Sequence, residues 1–397
     1  MSEAPLSGVR VLDLTRNLAG PFATMHLGDL GADVVKIETP TGGDDTRHWA
    51  PVLDDGSSGV FVAANRNKRS VAVDLDHPDG ADVVRRLAAR ADVLVESFRP
   101  GSLARRGLGY EQLSAEHPGL VYCSVSAFGG VGPRASDPGY DPVLQAATGI
   151  MELTGEPERP PVRLSIAAID LGTALWATIG ILAALTRRAA TGRGAKVDAS
   201  LFETSTWWLS FLLSSYELTG VLPQRSGSGT PILAPYELFP TADSDVFVAA
   251  GNDHMFRQLV EVLDRPELAD DPRFATNQQR VANRELLREV LSERFRTATT
   301  ADWIDRLTER SVPCTRVHTI ADLLTDPQTD ALAILRLAGL ASAPDLRLVD
   351  LPVRRDGTRA ERWTPPPRLG EHTDEVLAEL GLPATEIARL RATGAIR

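Results

Sequence analysis

The chain is short of cysteine, with two in 397 residues, Cys123 and Cys314. Neither belongs to a Cys-x-x-Cys pair, which argues against a disulfide framework and a cysteine-ligated structural zinc. Positive charge is in deficit too. With 42 Lys and Arg against 53 Asp and Glu the formal net charge is −11. That balance argues against general nucleic-acid binding and against a polybasic membrane contact. No run reads as the ~18 apolar residues of a membrane span. The opening Met1-Ser2-Glu3-Ala4-Pro5 lacks the basic start and apolar core of a secretion signal. The expected location is therefore the cytoplasm. The Gly-x-Gly-x-x-Gly fingerprint is also missing from the turn after the first strand, Thr15-Arg16-Asn17-Leu18-Ala19-Gly20-Pro21. Its absence weakens a nicotinamide-dehydrogenase reading.

What is present is ordinary for a globular enzyme: 43% apolar and 24% charged residues. The length is more than one core usually holds and points to two domains. In the first half short apolar runs alternate with helical patterns. Strands are expected over 9–14, 33–38, 70–75, 92–96 and 120–125, with helices over 22–30 and 78–91. Such alternation predicts an α/β fold with a parallel sheet covered by helices. A short strand over 196–199 and an amphipathic helix over 200–218, with Trp207 and Trp208, follow. Residues 220–235 are rich in Gly, Pro and Ser and read as a linker. Beyond it a strand over 246–250 and helices over 255–263, 280–295 and 300–311 predict a smaller α/β unit. The expected division is 1–228, a large Rossmann-like domain; 229–325, the small domain; and 326–397, an extended return to the first.

The segment Ile169-Asp170-Leu171-Gly172-Thr173 stands out because it opens a strongly apolar helical run through Leu185. A carboxylate at a helix N-terminus is held ionised by unpaired N–H groups and the helix dipole. Asp170 is thus either an N-cap or a nucleophile in a closed pocket. Two cationic segments lie near strand edges. Asn65-Arg66-Asn67-Lys68-Arg69-Ser70 precedes a strand, and Glu96–Gly107, with Ser97, Phe98, Arg99, Arg105 and Arg106, follows one. Each is either a solvated turn or a seat for phosphates, and in an acidic chain the pair points to an anionic ligand with several phosphates. A glycine-rich loop, Gly129-Gly130-Val131-Gly132-Pro133, precedes Tyr140-Asp141-Pro142 and Gln145. Such a loop brings backbone N–H groups close to a ligand oxygen.

The order of these pieces resembles the family III CoA-transferases, a family that includes the α-methylacyl-CoA racemases. The resemblance is carried by Gly8–Leu14 with Ala19-Gly20-Pro21, by 30–38, by Asn67-Lys68-Arg69-Ser70 and by 95–101. Asp170 with 179–185, Thr191-Gly192-Arg193-Gly194 and 369–377 complete it, so it runs from one end of the chain to the other. It implies a Rossmann-like large domain, a small α/β domain, and a homodimer of interlocked rings. It implies further that coenzyme A lies along Asn67, Lys68, Arg69, Ser97, Phe98, Arg99 and Arg105. Asp170 is the implied nucleophile, beside an oxyanion and substrate pocket at Gly129, Gly130 and Tyr140.

In the implied reaction a carboxylate adds to the thioester of an acyl-CoA, and CoA then passes through an aspartyl thioester to a carboxylic acid. No ATP, NAD or metal is called for, because each step exchanges carbonyls of similar activation. Racemisation of a 2-methylacyl-CoA is the rival within the family. It needs acid/base groups on both faces of the α-carbon, and family racemases carry His-Asp where this chain has Tyr140-Asp141. A phenol is a poor base at neutral pH. Formyl-CoA:oxalate members carry Gln at the position of Leu18, a tetraglycine loop where this chain reads Gly251-Asn252-Asp253-His254, and a phosphate-binding Arg at Thr39. Oxalate is therefore disfavoured. A non-catalytic nucleotide-binding protein is the alternative from another class.

Overall fold

The structure, a computed structural model, describes residues 4–357, 359 and 362–397. The chain forms two compact units. The first comprises the chain up to Thr148, Ser165–Trp208 and the segment from Asp330 onward; the second comprises Gly149–Leu164 and Leu209–Thr329.

The first unit is built on six parallel strands: β1 (Arg10–Leu14), β2 (Asp33–Glu38), β3 (Lys68–Ala72), β4 (Val93–Glu96), β5 (Val121–Ser126) and β6 (Lys196–Ser200). Their order is β3-β2-β1-β4-β5-β6. This is the doubly wound order in which the chain reverses direction across the sheet between β1 and β4. Its helices are α1 (Ala19–Asp29), α2 (Gly59–Ala64), α3 (Pro78–Ala88), α4 (Tyr110–Glu116), α5 (Asp141–Ala147), α6 (Ala168–Thr191) and α7 (Leu201–Trp208). Alternate residues of each strand feed two cores. Val11, Val34, Val93, Val95 and Cys123 pack with α1 and α6. Leu12, Leu14, Val35, Ile37 and Leu94 pack with α3 and with the C-terminal helices Thr373–Glu379 and Ala384–Ala392. Burial on both faces explains why these strands read as continuous apolar runs. The return segment is thus partly helical rather than extended, and Thr373 Oγ1 accepts the Ala72 N–H at 3.1 Å.

The second unit has an antiparallel sheet in the order β7 (Tyr236–Pro240), β8 (Asp245–Ala249), β9 (Cys314–Arg316). Phe239 stacks on Phe295 with ring centroids 4.9 Å apart, and the buried Trp303 donates to the Phe295 carbonyl at 2.7 Å. The helix expected over 280–295 is interrupted at Asn283, giving Asn277–Ala282 and Arg284–Phe295. Asn283 Nδ2 donates to Arg273 O at 3.2 Å and Gln279 O at 2.9 Å, a local alternative to the helical ladder. The helix expected over 200–218 likewise breaks at Leu209.

α6 departs from the sequence reading in two ways. It is long and apolar enough, by length and composition, to cross a membrane, with a mean hydropathy of 1.7 over its 18-residue window, half of it buried. It is also not buried all round. Ala174, Ala177 and Ile181 face the core, while Leu175 and Ile179, one turn apart, are 51% and 53% exposed.

An ionic network lies beneath the loop that joins β1 to α1. Register pairs Asp13 with Lys36 across β1 and β2. Asp13 is fully buried and accepts from Lys68 Nζ at 3.0 Å, Thr15 Oγ1 at 2.5 Å and Thr24 Oγ1 at 2.7 Å. Burial pushes the Asp13 carboxyl up, but Lys68, Lys36 and the two hydroxyls outweigh it and hold it at about 2. Lys36 Nζ reaches Asp44 Oδ2 at 2.9 Å and Thr15 O at 2.8 Å. Glu38 takes a two-pronged contact from Arg47 at 2.7 and 2.8 Å. Removing one member strands a buried charge, which costs about 3–5 kcal/mol. Lys68→Met is therefore expected to lower the thermal unfolding midpoint sharply, and calorimetry showing an unchanged midpoint would contradict it.

Candidate active site

Ligands of open α/β sheets bind beyond the carboxyl ends of the strands where the winding reverses. Here that place lies between Leu14 at the end of β1 and Glu96 at the end of β4, which are paired in register. The loop after β1 and the loop after β4 are tied together, because Ser97 Oγ accepts the Arg16 N–H at 3.0 Å. Arg16 also sits over the Phe98 ring, 5.6 Å from its centroid. Asn17, at φ 67°, turns the chain toward α1, and its N–H donates to Asp44 Oδ1 at 3.2 Å.

A cavity of about 300 Å³ opens here, and Arg16, Trp49, Ser97, Phe98, Arg99, Tyr140 and Asp170 are among the residues that line it. A second cavity, of about 350 Å³, is lined by Thr39, Asp74, Asp76 and Arg106 among others. Arg16 and Phe98 belong to both linings. The two cavities together run across the carboxyl ends of β4, β1, β2 and β3.

Asp170 occupies the third position of α6. It is not the N-cap. The residue before the helix is Ala167, which has no side-chain acceptor, and the cap comes from another element. Asp141, the first residue of α5, accepts the N–H of Ile169 at 2.7 Å and of Asp170 at 3.1 Å through Oδ2. The Asp170 carboxylate itself has no hydrogen-bond donor among the described residues. Burial and then the nearby Asp141 charge push its pKa from 3.8 up to about 7. This corrects the expectation that the helix end keeps it ionised. The N–H groups that would stabilise its charge are spent on Asp141.

The structure brings Asp170, Tyr140, Ser97, Phe98 and Arg99 to one cavity. Other expected site residues lie elsewhere. Asn67, Lys68 and Arg69 do not form a phosphate loop, because they stand at the start of β3, away from the carboxyl ends. Lys68 is buried with Asp13, Pro21 O and Asn65 Oδ1 within 3.0 Å. Asn67 is buried and bonded to Asp29 and to Thr364. Arg69 is engaged by Asp33, Glu375 and Glu379. Gly129 and Gly130 do not line the Asp170 cavity. The Gly129 N–H is already bound to Ser126 Oγ at 3.1 Å, and Gly130 lines a separate cavity of about 170 Å³ with Arg99 and Lys196. Arg105 is exposed on the single turn Ala104–Arg106 and lines neither main cavity. Arg106 is held by Ser102 and Asp76. Sequence reading assigned no role to Arg16, Trp49 or Asp141. The signal for Arg16 was present, a lone cation in a strand-to-helix turn at a winding reversal. No cluster of three or more His, Cys, Asp or Glu suited to a metal ion occurs among the described residues.

The doubly wound parallel sheet, with Asp170 on a cavity at its winding reversal, makes this an α/β protein with a candidate ligand site at that edge. The chain belongs to CoA-transferase family III, whose family model matches residues 6–373. It is 38% identical over 376 residues, 95% of this chain and 86% of the relative, to human succinyl-CoA:glutarate CoA-transferase. To the succinyl-CoA–D-citramalate CoA-transferase of Chloroflexus aurantiacus it is 36% identical over 392 residues, 98% and 97% of the two chains. Among solved structures, a CAIB/BAIF family protein from Brucella suis matches with a TM-score of 0.84 and 40% identity, covering 96% of this chain and 100% of that one.

The raised pKa makes folding stability depend on pH. Folded Asp170 holds its proton to about pH 7, the unfolded side chain only to about 3.8. Between those values the folded state binds more protons, so stability falls as pH rises through that window. Asp170→Asn is free of this cost. At pH 8 the variant is expected to be more stable than the parent by on the order of 2 kcal/mol, and at pH 4 the difference should vanish. Melting curves of the two proteins across pH check it, and a difference that does not vary with pH would contradict the burial of an ionised carboxylate.

Proposed function

We propose that this enzyme moves CoA from an acyl-CoA to a free carboxylic acid with Asp170 as the covalent nucleophile. An Asp170 carboxylate oxygen bonds to the thioester carbonyl carbon, the C–S bond breaks, and CoA leaves as thiolate. The product on the enzyme is a mixed anhydride. The thiolate then attacks the aspartyl carbonyl and expels the donor acid, leaving an aspartyl-CoA thioester. The acceptor carboxylate repeats these steps in reverse and Asp170 is regenerated, so no proton or redox equivalent is consumed. The observation that carries this reading is Asp170 itself: a half-buried carboxylate on a cavity, without a hydrogen-bond donor among the described residues, and raised to about 7. A more basic carboxylate is a stronger nucleophile.

The paired cavities support a path for CoA from Asp170 past Phe98 and Arg16 toward Thr39 and Arg106. Arg16 and Arg99, on the Asp170 cavity, have no ion-pair partner among the described residues and suit phosphate or carboxylate oxygens. Relatives named for succinyl-CoA with glutarate, D-citramalate and mesaconate favour dicarboxylic acids as donor and acceptor. Racemisation is the weaker reading, since Tyr140 supplies a phenol on this cavity where a base is needed. Both cysteines are free, in keeping with a reducing cytoplasm.

A homodimer of interlocked rings fits the apolar surface that one chain leaves uncovered. Besides Leu175 and Ile179, Trp207 of α7 is 52% exposed. In the second unit the helix Ser210–Thr219 buries none of its residues. Monomers rarely leave such surfaces bare. Light scattering is expected to show a dimer at all folded concentrations, and a stable folded monomer at micromolar concentration would remove this part of the proposal.

The nucleophile is tested by trapping. Incubation with succinyl-CoA and then hydroxylamine is expected to leave a hydroxamate on the peptide containing Asp170, and borohydride to reduce the aspartyl thioester there to an alcohol. Asp170→Asn should lose transfer by about 10³-fold or more while CoA still binds. Normal transfer by Asp170→Asn, or a label on another residue, would show that Asp170 is not the nucleophile.

A further inference from the structure

We propose that Asp141 is a positioning residue for Asp170, fixing the first turn of α6 through its carboxylate and keeping a second negative charge beneath the attacking one. The proposal rests on the reading of Asp170 as nucleophile. Four observations lead to it. First, α6 carries no cap of its own, since Ala167 precedes it. Second, Asp141 reaches across from α5 and takes the Ile169 and Asp170 N–H groups on one oxygen, at 2.7 and 3.1 Å. Third, its other oxygen accepts from Gln145 Nε2 at 2.5 Å, one turn along the same helix, so the carboxylate is held on both sides. Fourth, Asp141 is only 3% exposed.

A serine or asparagine would satisfy the same two N–H groups without burying a charge. The choice of a carboxylate therefore calls for a cause beyond capping. That cause lies in where the charge sits. A helix N-terminus stabilises an anion through its N–H groups and partial positive charge. Asp141 occupies that position first, so Asp170 beside it gains neither. Its carboxylate stays basic, while its backbone is fixed by the hydrogen bond from its own N–H. Direction and reactivity of the nucleophile thus come from one neighbour. Other ionisable groups face the same space. Asp137 and Tyr140 lie on the cavity wall, with Arg16 and Arg99 opposite in sign to Asp137. On the elements packed against α6, α1 brings His26, whose ring contacts Thr178 two turns further along, and α7 brings Glu203, bonded to Ser200 Oγ. Among all of these, Asp141 is the one whose charge bears on Asp170.

The test compares Asp141→Asn with the parent enzyme in kcat/KM for succinyl-CoA across pH, together with CoA affinity by calorimetry. Asparagine keeps an acceptor for the two N–H groups but carries no charge. The parent's rising limb is expected near pH 7. In Asp141→Asn that limb should move down by about one pH unit and the plateau fall about tenfold, with CoA affinity unchanged. A profile that superposes on the parent's, whatever the loss of stability, would overturn the proposal and leave Asp141 a structural cap. Asp170→Asn run alongside separates the two readings. Retained transfer there sinks the nucleophile, whereas lost transfer there with an unshifted Asp141→Asn profile sinks only the positioning role. Should Asp141→Asn not fold, Gln145→Leu serves instead. It loosens the Asp141 carboxylate and should lower kcat about fivefold or more at unchanged CoA affinity, and an unchanged kcat would equally overturn the proposal.

Discussion

The site depends on a buried ionic network at its floor, of which Lys36, Glu38 and Asp44 line the second cavity. Asp13, Lys68, Lys36, Asp44, Glu38 and Arg47 form two linked groups of charge under the carboxyl ends of β1, β2 and β3. Desolvating six charged groups is costly, and apolar side chains of equal volume often do as well for stability. What they do here is define a loop. Lys36 holds the Thr15 carbonyl, Asp44 holds the Asn17 N–H, and Asp13 holds the Thr15 hydroxyl. Asn17 is thereby kept in the left-handed region, which a residue other than glycine enters only when its surroundings compel it. Arg16, between two fixed neighbours, is then presented to both cavities. The linkage Arg16 N–H to Ser97 Oγ carries the constraint on to the loop after β4. Two walls of the site are set from beneath in this way, by charges paired with one another.

Asp170 shows the opposite arrangement. Where Asp13 is surrounded by two lysines and two hydroxyls and is held at about 2, Asp170 is left with an acidic neighbour and pushed to about 7. Both belong to the first unit, Asp13 fully buried and Asp170 half-buried on its cavity. The difference between a structural and a reactive carboxylate lies entirely in what faces it. A group deprived of partners lowers stability at neutral pH, and that is the expected signature of a functional residue.

Much of this was legible in the sequence. The alternation of apolar runs with helical patterns indicated five of the six sheet strands, the short run 196–199 indicated the sixth, and the mouth of α6 singled out Asp170. Ser97, Phe98 and Arg99 follow a strand and line the cavity, because the carboxyl ends of parallel strands share one edge. Asn67, Lys68 and Arg69 stand at the start of β3 instead, and the density of positive charge there, with Arg66, reflects the acids Asp13, Asp29 and Asp33 that it neutralises. A linear pattern reports the charge of a segment but not the charges that will be packed against it. Gly129 failed for a related reason. A free N–H is a property of the folded loop, and here Ser126 has taken it. The role of Asp141 was invisible because the cap of α6 comes from a residue 28 positions away from its Ile169 partner.

Water exclusion sets the last requirement. A mixed anhydride survives only where water cannot reach it, yet Tyr140 at the mouth of the cavity is 55% exposed in the single chain. Ile166, just before α6, is exposed as well, and the row of Leu171, Leu175 and Ile179 continues that surface along the helix. The apolar face therefore begins beside Asp170, the proposed nucleophile. Covering it buries hydrocarbon, which drives association. Under the proposed function, covering it also keeps solvent from Asp170, whose proposed acyl intermediates would hydrolyse. On this argument assembly of the proposed dimer and protection of the intermediate are the same event.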